Sequence, residues 1–497
     1  MLAVSLLRHP SATPIAFALA SLMIGFVVLG FTVDVPADGP YRAMMAYEWL
    51  RKPYLAKCGT WLPAPVYLNG LFLNIVGDPF VSVRVFNVLV GAATMPIYYL
   101  LLRRVFDAPI ALIGAVALLA LPLRIGLSAS SLTETAFIFE LLAGIWLLIR
   151  ATDSTPVRLT VLGVALGLLI LAMMTRYEAW LLIPAFPAYL YIRTRRPALA
   201  LAFAAALLLF PLAWSAGNQY CFGDALKGFR SATSEERYAE AVGLLDAAGI
   251  LAQRLVQQTG LVASSSLAVG GMLVLLQVFR WRELTIERML YLGLMAFVWA
   301  VLLRFTMARG AGSFQARYLL LALTLALPLL AMPFRTWIGR RAVVAALAAL
   351  FAVSELAAGH AITQAWFPDL WLVRKRPGDA VDDMKSLAEW IGASPYRGQA
   401  LLSTPLKNDD GWATNYLPLF LPDVIGRVRT LSYWLSDADV TAFVESERPA
   451  LLITGDSDID REEFQRATRL LGGRLAGRPE WVRASGVPVR VYRVNPD

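Results

Sequence analysis

The sequence contains little charge, little histidine and little cysteine. Only 16% of its 497 residues are charged, whereas a soluble globular chain carries about 25%. It has two histidines and two cysteines, and neither a CxxC motif nor a Cys/His cluster occurs, which argues against a thiolate zinc site. Hydrophobic residues make up 58% of the chain and form long runs. This composition is typical of a polytopic membrane protein that also carries some soluble mass.

The excess of nine positive charges lies largely in short loops between the apolar runs. A nucleic-acid-binding chain would cluster such charge on one soluble face, so we expect no nucleic-acid partner. If the N-terminus is cytoplasmic, the short inner loops and Arg8 hold 14 basic residues, and the short outer loops hold five. This bias agrees with the positive-inside rule. The odd number of predicted spans, about eleven, then places the C-terminus outside. We therefore expect a multi-pass protein of a bacterial inner membrane, with its C-terminal region in the periplasm.

The apolar runs predict about eleven transmembrane helices, because each span needs about 20 mostly apolar residues. The first run is too long for the core of a cleaved signal peptide. The predicted spans lie near 13–32, 82–102, 108–124, 132–149, 158–175, 178–192, 197–216, 257–279, 289–304, 317–334 and 342–360.

The chain divides into two predicted domains. Residues 1–373 form a mainly α-helical membrane domain with a long first outer loop at 33–81. Residues 374–497 change character, since glycine, proline and charge become frequent and helical patterns alternate with short apolar strands. We expect a small extracytoplasmic α/β domain there. In it, "DSDID" at 456–460 fails the calcium-loop pattern and reads as a strand-to-helix loop.

Charged residues of both signs lie near the predicted outer helix ends. Ionisable groups at membrane depth are costly and need partners, so their convergence on one face predicts a polar cavity that opens outward. The alternative for each residue alone is anchoring at the interface. A guanidinium binds phosphate through two hydrogen bonds, and a carboxylate can take a proton from a hydroxyl. These residues are Asp34, Asp38, Arg84, Arg124, Glu134, Arg176, Glu178, Arg304, Arg309, Arg317 and Glu355.

Six segments, in order, resemble the integral-membrane glycosyltransferases of the GT-C fold, in particular the class with protein O-mannosyltransferases and lipid A aminoarabinose transferases. One of them, "YYLLLRRVFDAPIALIGAVALLALP", resembles the family's helix–loop–helix after the second span. In "DGPYRAMMAYEWL", Asp38 matches the aspartate of the family's first outer loop, and Gly39 replaces its glutamate. The resemblance covers about 340 residues loosely. The other segments are "GDPFVSVRVFNVLVG" with Arg84, "SASSLTETAFIFELLAG" with Glu134, "MMTRYEAWLLIP" with Arg176 and Glu178, and "ARYLLLALTLALPL" with Arg317.

The resemblance implies a donor sugar linked to a polyprenyl phosphate and, usually, inversion at the anomeric carbon. The acceptor would be a lipid, a glycan or a protein hydroxyl. On this hypothesis Asp38 is the general base, with Asp34 as its substitute. Arg317 holds the lipid phosphate, with Arg84 or Arg309 as further candidates.

Other features complete the set of expectations. Glu134, Arg176 and Glu178 shape the sugar site or, as an equal alternative, form a structural ion pair. Some relatives hold a divalent metal ion, which Asp38 and Glu134 would share here, although two distant carboxylates are weak support. His360, at the outer end of the last predicted span, is a further candidate for the cavity wall.

Three questions stay open at this level. Cys58 and Cys221 both fall on the predicted outer side, where either a disulfide or two inert thiols would fit. A ligase or polymerase of polyprenyl-linked glycans would share the outer arginines. A lipid or solute transporter is the rival from another class, favoured by Glu140 near a helix centre and by two prolines in one short span, but no internal repeat is evident.

Overall fold

The computed structural model shows a mainly helical protein with a small C-terminal sheet. It describes residues 12–34, 38–54, 59–228, 230, 241–278, 284–309, 316–338, 340–365, 372–374, 380–404, 406–408, 411–412, 417–421, 424, 427–431, 436–483 and 489–496.

The first part of the chain is almost entirely helical apart from one short strand, β1 (Thr32–Asp34). Its helices are α1 (Ala12–Phe31), α2 (Asp38–Arg51), α3 (Ala64–Val76), α4 (Pro79–Val105), α5 (Ala108–Ala120), α6 (Pro122–Ser128), α7 (Glu134–Ala151), α8 (Leu159–Thr175), α9 (Glu178–Leu181), α10 (Ala185–Thr194), α11 (Pro197–Phe222), α12 (Leu244–Val278), α13 (Ile286–Arg309), α14 (Leu319–Ala326) and α15 (Arg341–Ala365). Short 3₁₀ segments, Ala316–Tyr318 and Leu327–Phe334, flank α14.

Seven described helices are long and apolar enough to cross a membrane, or eight if α5 and α6, which meet at 59°, form one broken span. The seven are Ala12–Phe31, Val81–Val105, Pro197–Phe222, Leu244–Leu276, Ile286–Ala308, Ala316–Phe334 and Arg341–Ala358.

The expected count of about eleven spans is not confirmed. Helix α8 is apolar but only 17 residues long. Helix α7 has 18 residues but carries Glu134, Glu140 and Arg150. The predicted span at 178–192 consists of two short helices, α9 and α10, which are separated by residues 182–184, including Pro184. A helix that packs against other helices instead of lipid can be short or carry charges. Counting apolar residues therefore does not give the number of spans for such helices.

The C-terminal region forms a five-stranded sheet with the order β6-β3-β7-β9-β8. Strand β3 pairs in parallel with β6 and β7, and β9 runs antiparallel to β7 and β8. The elements are β2 (Leu372–Arg374), α16 (Ala380–Ala393), β3 (Leu401–Ser403), β4 (Lys407–Asn408), β5 (Gly411–Trp412), α17 (Leu417–Phe420), β6 (Val428–Thr430), α18 (Asp437–Glu447), β7 (Leu451–Thr454), α19 (Asp458–Leu470), β8 (Trp481–Arg483) and β9 (Val489–Arg493).

The C-terminal region is joined to the start of the first predicted outer loop. Strand β1 pairs antiparallel with β2, so that Thr32 lies opposite Arg374. Ala43 of α2 and Val83 of α4 are buried in the same hydrophobic cluster as Met384 of α16, and α17 packs against α2. The sheet domain therefore holds α2 in place beside the helical bundle.

Candidate functional site

A cavity of about 390 Å³ opens where α7 begins, α8 ends and α14 begins. These are the helix ends that the arginine distribution predicts to be outer. Its polar wall consists of Arg42, Thr60, Trp61, Thr133, Glu134, Thr175, Arg176, Tyr177, Glu178, Arg317 and Tyr318. Its apolar wall consists of Leu62, Phe137, Ile138, Leu181, Leu182, Phe297, Val298, Val301, Leu302, Phe305, Leu320 and Leu321.

An ion cluster joins three of the helices at this cavity. Arg176 directly follows α8, and its Nη1 lies 2.5 Å from Glu134 Oε1 at the start of α7. Its Nη2 and Nε also donate to Glu178 Oε1, at 2.6 and 3.1 Å. Arg317 Nε lies 3.7 Å from Glu134 Oε1. Because Glu134 stands in the first turn of α7, the positive end of the helix dipole also favours its charge.

A third guanidinium reaches the cavity from α2. The Arg42 guanidinium carbon lies 4.2 Å from the centre of the Trp61 ring, a geometry in which the ring face attracts a cation. The cavity wall thus carries three guanidinium groups, of Arg42, Arg176 and Arg317, and two carboxylates, of Glu134 and Glu178. Among the described side chains of this wall, one positive charge is left in excess, which suits an anionic ligand.

Glu134 keeps one oxygen for a further contact. Its Oε1 binds Arg176, whereas its Oε2 is buried and has no hydrogen-bond partner in the described part of the chain. A buried acceptor without a partner costs about 1–3 kcal/mol. A hydroxyl of a bound ligand would satisfy this oxygen.

Tyr177 ties the rim of the cavity together. Its hydroxyl accepts a hydrogen bond from Trp214 Nε1 at 3.1 Å and donates toward the Thr60 carbonyl at 3.2 Å. Burial raises the pKa of Tyr177, which lies between α8 and α9, to about 12, so the phenol remains a donor at neutral pH. The amide of Gly59 donates to Asn218 Oδ1 at 2.8 Å. These bonds fix the segment that carries Trp61.

Gly228, between α11 and α12, is packed against this rim. A Cβ at this position would overlap Tyr177 Oη and the Gly59 carbonyl, so only glycine fits. Nearby, Cys221 near the end of α11 is disulfide-bonded. The chain has one other cysteine, Cys58, which lies outside the described residues. The disulfide at Cys221 is the alternative that the sequence left open beside two inert thiols.

Four of the residues selected from the sequence meet in this cavity: Glu134, Arg176, Glu178 and Arg317. Arg84 does not join them. It is buried, its Nε donates to the Ala129 carbonyl at 2.7 Å, and its Nη2 donates to the Thr32 carbonyl and hydroxyl at 3.1 and 3.0 Å. Arg84 thereby fixes β1 to α4, and it does not line the cavity as the expected phosphate ligand would.

Four other selected residues are not described at the level of side chains, whereas Arg124, Arg304 and Glu355 are described and do not line the cavity. Asp34 is the last residue of β1, Asp38 the first of α2, and Arg309 the last of α13, while His360 belongs to α15. The side chains of all four lie outside the described set. The backbone places Asp38 one helical turn before Arg42, whose side chain lines the cavity, so residues at this spacing share a helix face.

The expected metal site shared by Asp38 and Glu134 finds no support in the surroundings of Glu134. Arg176 occupies Glu134 Oε1, and Arg317 and Arg42 approach from the same cavity. A divalent cation placed there would be repelled by three guanidinium groups. Among the described side chains, no three His, Cys, Asp or Glu residues come together. We derive no step through a metal ion.

Sequence reasoning missed Arg42, Trp61, Tyr177 and Tyr318, which all line the cavity. The signal for Arg42 was its position four residues after Asp38 in the segment "DGPYRAMMAYEWL". Trp61 carried no comparable signal, because tryptophan is common at any membrane interface.

Comparisons with known proteins agree with this architecture. Residues 59–214 match the family described as dolichyl-phosphate-mannose-protein mannosyltransferase. No curated protein matches the chain by sequence. ArnT from Cupriavidus metallidurans, solved with undecaprenyl phosphate bound, is structurally similar with a TM-score of 0.64 and 12% identity, over 98% of this chain and 100% of that one.

Two further structures share the fold. The oligosaccharyltransferase of Archaeoglobus fulgidus matches with a TM-score of 0.59 and 11% identity, over 95% of this chain and 72% of that one. The mycobacterial arabinofuranosyltransferase AftD matches with a TM-score of 0.51 and 14% identity, over 97% of this chain and 41% of that one. The chain is therefore a multi-pass membrane protein with the GT-C fold, and the resemblance noted in the sequence is confirmed.

Proposed function

We propose that this GT-C protein is a membrane glycosyltransferase that transfers a sugar from a polyprenyl-phosphate-linked donor to an acceptor on the outer face of a bacterial inner membrane. One observation carries the proposal. A single cavity combines three guanidinium groups with a long apolar wall. A prenyl-phosphate donor has this division of chemistry, since an anionic headgroup is joined to a hydrocarbon tail.

The apolar wall suits the prenyl chain. Phe297, Val301 and Phe305 come from one face of α13, and Leu320 and Leu321 come from the start of α14. Residues spaced by four along a helix lie on the same side, so α13 presents a continuous apolar strip that leads away from the charged end. Every buried CH₂ group of a prenyl tail would contribute about 0.8 kcal/mol.

The charged wall suits the phosphate. Arg176 is engaged by Glu134 and Glu178 at 2.5–2.6 Å, so it organises the site. The phosphate is bound by two other arginines. Arg317 Nε lies 3.7 Å from Glu134 Oε1, and the Arg42 guanidinium stacks on the Trp61 ring. Their charge is present before the reaction, so it stabilises the leaving phosphate without reorganisation.

The reaction we propose is a single displacement with inversion. The acceptor hydroxyl attacks the anomeric carbon, the bond from that carbon to the phosphate oxygen breaks, and the polyprenyl phosphate leaves with the electron pair. Asp38, with Asp34 as its substitute, takes the hydroxyl proton. The position of Asp38 one turn before Arg42 supports this assignment. Glu134 Oε2, which needs a donor, accepts a hydrogen bond from the sugar.

The acceptor is a lipid, a glycan or a protein hydroxyl. The sheet domain is our candidate for acceptor selection, because it packs on α2 beside the cavity and lies in the periplasm on the predicted topology.

The test is turnover in proteoliposomes supplied with polyprenyl-phosphate-linked pentoses and hexoses. We expect the wild-type protein to release polyprenyl phosphate. Each of the variants Arg317→Ala, Arg42→Ala and Asp38→Asn should release it at least about tenfold more slowly. Arg341→Ala is the matched control, since Arg341 is exposed at the start of α15 and its loss should leave turnover unchanged.

A different outcome would favour another function. The bent pair α5 and α6, and the break within α12, are features that transporters also show. Movement of a lipid-linked sugar or a solute across the bilayer without any new glycosidic bond would therefore replace the proposed transfer by transport. Polymerisation of glycan units on the lipid would instead indicate a ligase or polymerase.

A further inference from the structure

A second polar site lies inside the helical bundle, where α12 is broken. Gly260 has φ 77° and ψ 164°, which interrupts the helix. Opposite the break, Ser354 of α15 donates a hydrogen bond from Oγ to the Thr259 carbonyl at 3.0 Å. A Cβ on Gly260 would lie 2.6 Å from Ser354 Oγ. The two helices therefore approach closely at a point that only glycine permits.

Two polar residues next to this contact are completely buried, and their side chains have no hydrogen-bond partner in the part of the chain that the structure describes. Gln258 precedes Thr259, Glu355 follows Ser354, and both are 0% exposed. Both oxygens of the Glu355 carboxyl and both polar atoms of the Gln258 amide have no hydrogen-bond partner among the described residues. Burying even one such group without a partner costs on the order of 2–7 kcal/mol. The two helices that meet at this contact thus each carry a buried polar side chain that an occupant could partner.

The break lies at membrane depth. Ser354 is 13 residues beyond Arg341, the first residue of α15, which is about 20 Å at 1.5 Å per residue. The hydrocarbon core is about 30 Å thick. Interrupted backbone at this depth is tolerated where it is enclosed by protein, and broken helices at such depth commonly supply oxygen ligands for small cations.

We propose that Gln258 and Glu355 form a binding site for one monovalent metal cation of the Na⁺ class. Three side-chain oxygens are available, one from the amide and two from the carboxylate, and hard cations prefer oxygen ligands. The single carboxylate balances one positive charge, whereas a divalent ion would leave one charge uncompensated in a medium of low dielectric constant. Backbone carbonyls at the break complete the shell.

This site is separate from the donor cavity, because neither Gln258 nor Glu355 lines it. It is connected to that cavity through one helix. Leu251 and Leu255, on the half of α12 before the break, face Trp299 and Leu303 of α13 across a shared apolar groove, and α13 supplies part of the cavity wall. The cation would hold the two halves of α12 at a defined angle against α13.

The experiment compares thermal unfolding of the full protein in nanodiscs in NaCl and in choline chloride of equal ionic strength, followed by tryptophan fluorescence. We expect the midpoint to rise with NaCl and to saturate, since Na⁺ at about 100 times its dissociation constant shifts the unfolding equilibrium about 100-fold. Glu355→Gln should abolish this rise. Glu140→Gln is the matched control, because Glu140 is a buried carboxyl of α7 that already accepts a hydrogen bond from Thr175, and it should keep the rise.

Three results would overturn the proposal. The first is equal midpoints of the wild-type protein in NaCl and choline chloride, a measurement that needs no variant to fold. The second is an unchanged Na⁺ response in Glu355→Gln. The third is a midpoint that responds to pH but not to Na⁺ and loses the pH response in Glu355→Gln, since the occupant would then be a proton.

Discussion

Arg176 and Glu134 form an ion pair across 42 positions of the chain, with Nη1 and Oε1 2.5 Å apart. The pair joins the end of α8 to the start of α7 and leaves both side chains largely buried, at 13% and 4% exposure. It therefore has two functions in our account. It fixes the geometry of two helix ends, and it keeps one carboxylate among three arginines at the wall of the cavity.

Removing Glu134 should destabilise the protein more than removing the whole pair. Glu134→Ala leaves Arg176 and Arg317 without their shared carboxylate, and breaking a buried pair from one side typically costs about 3–5 kcal/mol. We expect a clear fall in the thermal midpoint of Glu134→Ala. The double variant Glu134→Ala with Arg176→Met should recover part of that loss.

A double-mutant cycle on thermal unfolding measures this coupling directly. Glu178→Ala is the matched control, because the Glu178 side chain is 41% exposed and its removal should cost much less. Additive effects of Glu134→Ala and Arg176→Met would refute the coupling.

Tyr177→Phe should weaken donor use more than it weakens folding. The change removes the acceptor for Trp214 Nε1 and the donor to Thr60, each worth roughly 0.5–1.5 kcal/mol. Because these bonds hold the segment of Trp61, we expect a raised KM for the donor. Tyr189→Phe serves as the control, since its buried hydroxyl bonds Thr152 and it does not line the cavity. Equal KM values for the donor in Tyr177→Phe and Tyr189→Phe would contradict a role of the Tyr177 hydrogen bonds in donor binding.

Asp460 should be essential for the stability of the sheet domain. Its Oδ1 accepts from Thr404 Oγ1 and from the Leu406 amide, both at 2.7 Å, and its Oδ2 accepts from Ser457 Oγ at 2.6 Å. Asp460→Ala leaves buried donors unpaired, at about 1–3 kcal/mol each. Limited proteolysis should then cut the sheet domain faster. The control is Asp458→Ala, whose carboxylate is 95% exposed and should leave the rate of cleavage unchanged.

Gly260→Ala should destabilise the membrane domain whether or not a cation binds. Alanine is strained at φ 77°, and its Cβ would lie 2.6 Å from Ser354 Oγ and 2.8 Å from the Ser354 carbonyl. We expect a cost above about 1 kcal/mol, seen as a lower thermal midpoint. Gly249→Ala, in open space on the same helix, should be neutral or slightly stabilising. If both variants unfold at the wild-type temperature, α12 is not constrained at its break.

The sequence predicted the sheet domain better than the membrane domain. Short apolar strands alternating with helices are the expectation for residues 374–497, and β7 lies within "ALLITG" while β8 and β9 lie within "WVRASGVPVRVYRV". The segment 456–460 joins a strand to a helix as expected, but the loop is shorter, because α19 begins at Asp458 with Ser457 as its N-cap. Alternation and capping are local signals, so one sequence is enough to read them.

The membrane spans were harder to predict because tertiary packing changes what a helix needs. Helix α7 is almost fully buried and carries Glu134 and Glu140, so a hydropathy criterion for a lipid-facing span does not apply to it. The break at Gly260 has no proline and lies near the start of the predicted span at 257–279. It depends on the close approach of Ser354, which is almost one hundred residues away in the chain.

For the candidate site, sequence identified charges but not their partners. Glu134, Arg176, Glu178 and Arg317 were selected as residues at outer helix ends, and all four line the cavity. Arg84 met the same criterion, yet its donors are used by the Ala129 and Thr32 carbonyls. Position in a helix predicts which end a side chain occupies, whereas its direction depends on the neighbouring helices.

The central claim is that the cavity binds the prenyl tail and phosphate of the donor. The most direct measurement is photo-crosslinking with a polyprenyl phosphate that carries a diazirine in the first prenyl units, followed by peptide mass spectrometry. We predict labelled residues on the apolar wall, at Leu181, Phe297 and Leu321, and loss of this labelling in Arg317→Ala but not in Arg341→Ala. Labelling confined to lipid-facing residues such as Leu208 and Leu275, and unchanged by Arg317→Ala, would contradict the account.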